Sequence, residues 1–255
     1  MQEDLLSEIA DMFSLKGRTA LVTGGHSGLG NQIVRVLQRA GASCIAVSRS
    51  SRHATELNAT RPDHELLVDL SVRDIVPVFD EVVRIAGSID ILVNSAGISY
   101  MERAERTDNG AFARTMAINV SVVQSMSACF VKHRIDIGSG GAILNIGSIL
   151  GSDAMRGASA YAASKAALEQ LSAVHALEWA RHDIRVNVLA PGWFPTAMTT
   201  GLLAGPAGAV LRQKNPTGRL GEAGDLDGAV LLLVSDAGRY ITGTVLQVDG
   251  GQHLA

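Results

Sequence analysis

Tyr161-Ala162-Ala163-Ser164-Lys165 holds the chemistry most easily read from this chain. A tyrosine and a lysine four residues apart on a helix stand one turn above each other on the same face. An ammonium fixed beside a phenol favours the phenolate and lowers its pKa. Bringing a phenol down by ~3 pH units from its ordinary ~10 takes about 4 kcal/mol of differential stabilisation, of which one lysine supplies part. Tyr161 is thereby a candidate to give and take a proton near neutral pH. A lone Tyr/Lys pair at this spacing is most often a solvated surface pair, so its surroundings decide its meaning.

Those surroundings are short apolar runs alternating with helical patterns. The sequence predicts strands at 19–23, 43–48, 65–69, 90–94, 141–147, 185–190 and 244–248. Most are continuous apolar runs, as expected for strands buried on both faces. Helical patterns lie at 72–85, 111–133, 160–181 and 226–234. The first opens at Ser71 with Asp74 three residues on, close to a capping box. Alternation of this kind, without hairpin signals, predicts a doubly wound parallel sheet in a single domain. The polar and glycine residues then fall at strand ends. Gly24, Gly28 and Gly30 follow the first strand, Ser48 and Arg49 the second, and Asp69 ends the third. Asn94 to Gly97 close the fourth strand, Ser148 the fifth, Pro191 and Gly192 the sixth. In an open parallel sheet these ends share one edge, where ligands bind.

Between the first strand and the next helix, Gly24-x-x-x-Gly28-x-Gly30 permits a sharp turn and a close backbone approach to a pyrophosphate. The helix start offers free N–H groups and the positive end of its dipole. The spacing differs from the commoner G-x-G-x-x-G fingerprint. About 20 residues beyond the glycines, a carboxylate would bind the ribose 2′-hydroxyl of NAD, whereas an arginine accommodates the 2′-phosphate of NADP. Ser48-Arg49 stands there without a carboxylate, which favours NADP and leaves NAD open.

Composition removes other classes. The chain has 255 residues, 47% hydrophobic and 18% charged, with a net charge of -3. That suits one globular α/β domain and not a disordered chain or a basic nucleic-acid-binding surface. Cys44 and Cys129 read as reduced core residues, and the seven histidines lack metal-ligand spacing, so no metal is expected. The acidic start lacks signal-peptide order, and no apolar stretch is long enough for a bilayer. A cytoplasmic protein without membrane attachment is the expectation.

Jointly these residues resemble the short-chain dehydrogenase/reductase family, over about residues 15–251. The resemblance is carried by Thr23 to Gly30, Asp69, Asn94-Ser95-Ala96-Gly97, Asn119, Ser148, Tyr161-x-x-x-Lys165, Asn187, Pro191-Gly192 and Val248-Asp249-Gly250-Gly251. It implies a Rossmann-type sheet of about seven strands with helices on both faces, preceded by an N-terminal arm (1–14). It also implies an enzyme that interconverts a ketone and a secondary alcohol by hydride transfer. In that family's terms Tyr161 is the general acid of reduction and the general base of oxidation. Lys165 lowers its pKa and holds the nicotinamide ribose, Ser148 hydrogen-bonds the substrate oxygen, and Asn119 holds a water that links Lys165 to solvent. Gly24, His26, Ser27, Gly28, Leu29 and Gly30 would cradle the cofactor, with Asp69 and Leu70 at the adenine. Asn94, Ala96 and Gly97 would line the cofactor side, and Pro191, Gly192 and Thr196 the nicotinamide. Two departures stand out. Ser95 replaces the usual second asparagine, and neither His26 nor Ser27 is the basic residue some NADP-preferring relatives carry.

The substrate side is less defined. Leu150, Met155, Trp193 and Phe194 flank Ser148 and Tyr161 and suggest an apolar pocket, under a lid at about 193–219. A hydrophobic or 3-oxoacyl-type carbonyl reduced with NADPH is the first expectation. A polyol or sugar-acid dehydrogenase is the alternative, because residues 12–17 resemble some sugar-acid dehydrogenases of the family. A non-catalytic dinucleotide-binding sensor is the reading from another class. Relatives imply a homotetramer built on the two long helices and the last strand. Leu5, Leu6, Ile9, Met12 and Phe13 form a short helical stripe that would pack on this chain or a partner.

Overall fold

A computed structural model describes residues 2–49, 61–71 and 74–255. The chain runs α1 (Gln2–Phe13), β1 (Thr19–Thr23), α2 (Gly28–Arg39), β2 (Ser43–Ser48), β3 (His64–Leu67), α3 (Ile75–Ala86) and β4 (Ile91–Asn94). It continues through α4 (Asn109–Met116), α5 (Val122–Asp136), β5 (Gly141–Ile146), α6 (Ser159–Trp179) and β6 (Ile184–Pro191). Last come α7 (Thr200–Leu203), α8 (Pro206–Lys214), α9 (Asp227–Val234) and β7 (Val245–Val248). All seven strands form one parallel sheet in the order β3-β2-β1-β4-β5-β6-β7. The order reverses between β1 and β4, and a crevice opens there beyond the strand ends.

Period-two alternation sorts the core into two layers. Ala20 and Val22 of β1 join Ile33, Val34 and Leu37 of α2 and Val230 and Leu233 of α9. Leu21 points the other way, to Val78 and Phe79 of α3, Met126 and Phe130 of α5 and Ala176 of α6. Helices therefore cover both faces, as the apolar strands require.

Three local features differ from the sequence expectation. The third strand ends at Leu67, which leaves Asp69 in the turn beyond it. There the Asp69 carboxylate accepts from the Ser71 backbone N–H (2.9 Å) and hydroxyl (2.6 Å), so Ser71 does not open α3. Asp74 caps that helix instead, accepting from the Val76 N–H at 3.1 Å, and Val72 lies outside the described residues. The long pattern 111–133 is α4 and α5 joined by a π-helical turn, Ala117–Ser121. Hydropathy reads through that turn because buried positions keep a three-to-four-residue spacing across it, from Ala111, Thr115 and Asn119 to Val122 and Met126.

Cys44 and Cys129 are both free thiols, and burial pushes Cys44 up to about 12. Among the described residues no helix is long and apolar enough to cross a membrane, and no cluster of metal-ligating side chains occurs. The α1 stripe is present but uncovered: Leu5, Leu6, Ile9 and Met12 are all exposed.

Candidate active site

The glycine loop is shaped by contacts that a side chain would block. Gly24 has φ +70, and a Cβ there would lie 3.0 Å from the Ala96 Cα. A Cβ at Gly30 would overlap the Gly24 carbonyl. Loop and β4 turn are tied by Thr23, whose hydroxyl accepts from the Ser95 and Ala96 N–H groups, both at 3.1 Å. Ser27 precedes α2 in extended backbone and makes no side-chain cap. The first turn of α2 carries no acidic residue, so its N–H groups and dipole face the crevice without an internal counter-charge. His26 is buried and its Nε2 lies 3.9 Å from the Glu65 carboxylate on β3. Leu29 packs on the core beneath. Across the crevice, Thr196 lies 3.6 Å from the position a Gly28 Cβ would take.

At the end of β2, the Ser48 hydroxyl is buried and has no hydrogen-bond partner among the described residues. Arg49 beside it is exposed and acts on Asp69, whose carboxyl is lowered first by its Ser71 hydrogen bonds. Leu70 has its side chain in the core below β1 and β2, so it offers a ligand backbone only. Asn94 donates to Asn145 (2.8 Å) and Ser127 (3.2 Å), while its Oδ1 is buried without a partner among the described residues. Uncapped helix N–H groups, a cradle that any Cβ would fill, and two orphaned oxygens together fit a dinucleotide. At the far end Gly192 donates to the Val248 carbonyl at 3.0 Å, and Pro191 pairs with Val248.

Asn119, Ser148, Tyr161 and Lys165 sit across the β4 and β5 ends. Lys165 on α6 is fully buried, donates to the Ile146 carbonyl at 2.7 Å and has its Nζ 5.5 Å from the Tyr161 ring centroid. Burial lowers Lys165 to about 8, against a smaller upward pull from Glu169. Gly97 makes room here: its Cβ would lie 3.2 Å from the Asn119 Oδ1 and 3.9 Å from the Lys165 Nζ. Asn119, on the π turn, is clamped to Ile98 through two 2.9 Å hydrogen bonds and donates to the Ser164 hydroxyl at 2.9 Å. Ser164 in turn donates to the Tyr161 carbonyl at 2.7 Å. The Ser148 hydroxyl accepts from the Leu150 N–H at 3.2 Å and lies near enough to Tyr161 to favour its phenolate.

One expectation needs correcting. Burial dominates at Tyr161 and raises its pKa, with Ser148 pulling the other way. Lys165 lies over the ring and not against the hydroxyl, so spacing on the helix alone does not yield a low phenol pKa.

Leu150, Met155 and Trp193 gather around Tyr161 in a small apolar cluster with Ile149, Ala158 and Ala162. Phe194 is placed elsewhere: its ring is buried in the core with Leu226 and Val230, and a Cβ at Gly221 would strike it. A cavity of about 180 Å³ opens beside Trp193 and runs to Asn215, Arg219 and Asp249, without reaching Tyr161 or Ser148. Sequence reading gave no role to Thr23, Asn145 or Ser164. Their signal was polar side chains at strand ends and on the inner helix face, where water cannot satisfy them.

Fold and relatives together define an oxidoreductase built on a Rossmann-type parallel sheet, with Ser148, Tyr161, Lys165 and Asn119 gathered at its crevice. A family model described as enoyl-(acyl carrier protein) reductase matches residues 24–253. The chain belongs to the short-chain dehydrogenase/reductase family of NAD(P)-dependent oxidoreductases. It is 36% identical to galactitol 2-dehydrogenase (L-tagatose-forming) of Cereibacter sphaeroides, over 94% of this chain and 96% of that one. It is equally similar, at 36%, to a 3-oxoacyl-(acyl-carrier-protein) reductase of Haemophilus influenzae, over 94% of this chain and all of that one (100%). A crystal structure of gluconate 5-dehydrogenase from Burkholderia cenocepacia, in complex with NADP and tartrate, superposes with a TM-score of 0.89. Its identity is 32%, over 97% of this chain and 99% of that one.

Proposed function

We propose that this protein is an NADP(H)-linked enzyme that interconverts a ketone and a secondary alcohol, with Tyr161 as the proton donor and acceptor. The observation that carries this reading is Tyr161 set between the Ser148 turn and the buried Lys165, whose Nζ lies 5.5 Å from the ring centroid, inside the apolar cluster of Leu150, Met155 and Trp193. The cofactor, when bound, supplies or accepts the hydride. Negative charge develops on the carbonyl oxygen during reduction, and Ser148 and Tyr161 are placed to meet it with a hydrogen bond and a proton. Lys165 supplies positive charge one helical turn away and refills the proton. Both Nδ2 hydrogens of Asn119 are committed to Ile98 and Ser164. Its link to a relay water therefore runs through a carbonyl oxygen, either Oδ1 or that of its backbone.

NADP preference rests on Ser48 and Arg49 at the end of β2, and relatives of known structure, including gluconate 5-dehydrogenase, carry NADP. Thr196, Pro191 and Gly192 hold the nicotinamide end, and Asp69 the adenine end. The apolar cluster favours a hydrophobic or 3-oxoacyl-type carbonyl. The second reading, a polyol or sugar-acid dehydrogenase, is favoured by relatives named for galactitol and gluconate. A cytoplasmic homotetramer completes the proposal; exposed Val174 and Leu177 on α6 and Val245 on β7 suit such contacts.

Tyr161→Phe tests the chemistry. Turnover of a ketone panel with NADPH should fall by about 10²–10⁴-fold while NADPH binding persists. Normal turnover by the variant would overturn the mechanism, and activity confined to polyols would select the second reading.

A further inference from the structure

Tyr161, Lys165 and Glu169 stand at i, i+4 and i+8 on α6, three ionisable groups along one helix face. Glu169 is half-buried, and a Cβ on Gly151 would overlap its carboxylate. Gly151 closes the short 3-10 turn Ile149–Gly151 that begins at Ser148, and its N–H donates to the Ser148 carbonyl at 2.9 Å. The carboxylate is thus seated on the turn that carries Ser148, one helical turn from Lys165. We propose that Glu169 is a positioning residue which keeps the buried Lys165 protonated, so that the ammonium is present when Tyr161 exchanges its proton. This inference rests on the proposed role of Tyr161.

The packing around Lys165 leaves Glu169 as the group able to do this. Gly97 from the β4 turn, Asn119 from the π turn and the Ile146 carbonyl from β5 are neutral. Tyr161 is the other ionisable neighbour, and it is neutral when it holds its proton. Burial drives Lys165 down to about 8, close enough to neutrality that losing an opposing carboxylate changes its charge in working conditions. Glu169 itself is raised by burial and lowered by Lys165, the reciprocal sign expected of a pair that shares a partly dry site.

The chain contains only four lysines, Lys16, Lys132, Lys165 and Lys214, so Lys165 is resolvable by NMR with ε-¹³C-lysine and assigned by its own substitution. The titration needs no substrate. In Glu169→Gln the Lys165 midpoint should fall by about one pH unit, and in Glu169→Asp, which keeps the charge, by much less. Gly151→Ala, which displaces the carboxylate without removing it, should lower the midpoint as well. The alkaline limb of kcat/KM should move down in parallel, with turnover lost at pH 7.5 recovered at lower pH. A purely structural role would lower thermal stability and leave the Lys165 midpoint in place. Unchanged midpoints in both Glu169→Gln and Gly151→Ala overturn the inference, whereas an active Tyr161→Phe overturns the proposed function independently.

Discussion

The glycine loop and the 193–219 segment both lean on small residues, for opposite reasons. At Gly24 and Gly30 the space for a side chain is already taken by backbone, the Ala96 Cα in one case and the Gly24 carbonyl in the other. In the 193–219 segment, Gly201 and Gly218 have nothing within 4 Å of where a Cβ would stand. Gly208 is the exception there, pressed on the Leu203 carbonyl where α8 meets α7. One region is a mould whose shape is fixed by contact, and the other is a loosely filled cover. In the proposed function the mould holds the cofactor and the cover, with Trp193 at its root, admits the substrate; relatives of equal similarity are named for a sugar alcohol and for a 3-oxoacyl group.

Small substitutions should separate the two regions sharply. Gly30→Ala forces overpacking that costs about 1–3 kcal/mol and closes the cradle, so NADPH affinity should drop by about 100-fold in a fluorescence titration. Gly201→Ala, in an exposed helix with room for a methyl, should leave kcat and NADPH affinity unchanged and add about 0.4–1 kcal/mol of stability. Equal effects from the two changes would erase the distinction. A weaker contrast is expected at the second strand. Ser48→Ala with Arg49→Ala should reduce the NADPH-over-NADH preference by about 10-fold, one charge-assisted contact's worth, with kcat retained. Trp193→Ala should follow at about 3–10-fold in KM, with the change differing among ketones of different size, because it opens the wall between the Tyr161 cluster and the neighbouring cavity.

The same contrast governs what could be read in advance. All seven strands fell within two residues of their places, most of them because they are largely continuous apolar runs. The third, with exposed His64 and Glu65, gave the weakest pattern and shifted most. The gathering of strand-end residues, from Gly24 to Pro191, at one edge was legible because a parallel sheet sends its strand ends there. Residues whose role depends on side-chain direction were not. Phe194 follows Trp193 directly, yet Phe194 packs into the core while Trp193 joins the Tyr161 cluster. The π turn at Asn119 and the position of Lys165 over the Tyr161 ring are three-dimensional facts with no sequence period of their own.

The least of the expected effects concerns stability and pH, and it again divides the mould from the cover. Lys165 titrates at about 8 when folded and near 10.5 when free, so between those values the unfolded chain binds a proton that the folded chain does not. Stability from this group therefore rises with pH across that window, as the cost of a buried ammonium is relieved. Below about 8 both states are protonated and the cost is present in full. Tyr161, raised above its ordinary 10.0, adds an opposing change only above that pH. Relative to Lys165→Met, which cannot titrate, the native chain should gain about 1 kcal/mol between pH 8 and 9.5, read as a rise in the difference of their thermal midpoints. Lys214, exposed at the end of α8, supplies the control from the cover, and Lys214→Met should show no such trend. A pH-independent difference for Lys165→Met would mean that the ammonium is solvated in the folded chain, and the region around Tyr161 would then be as open as the lid.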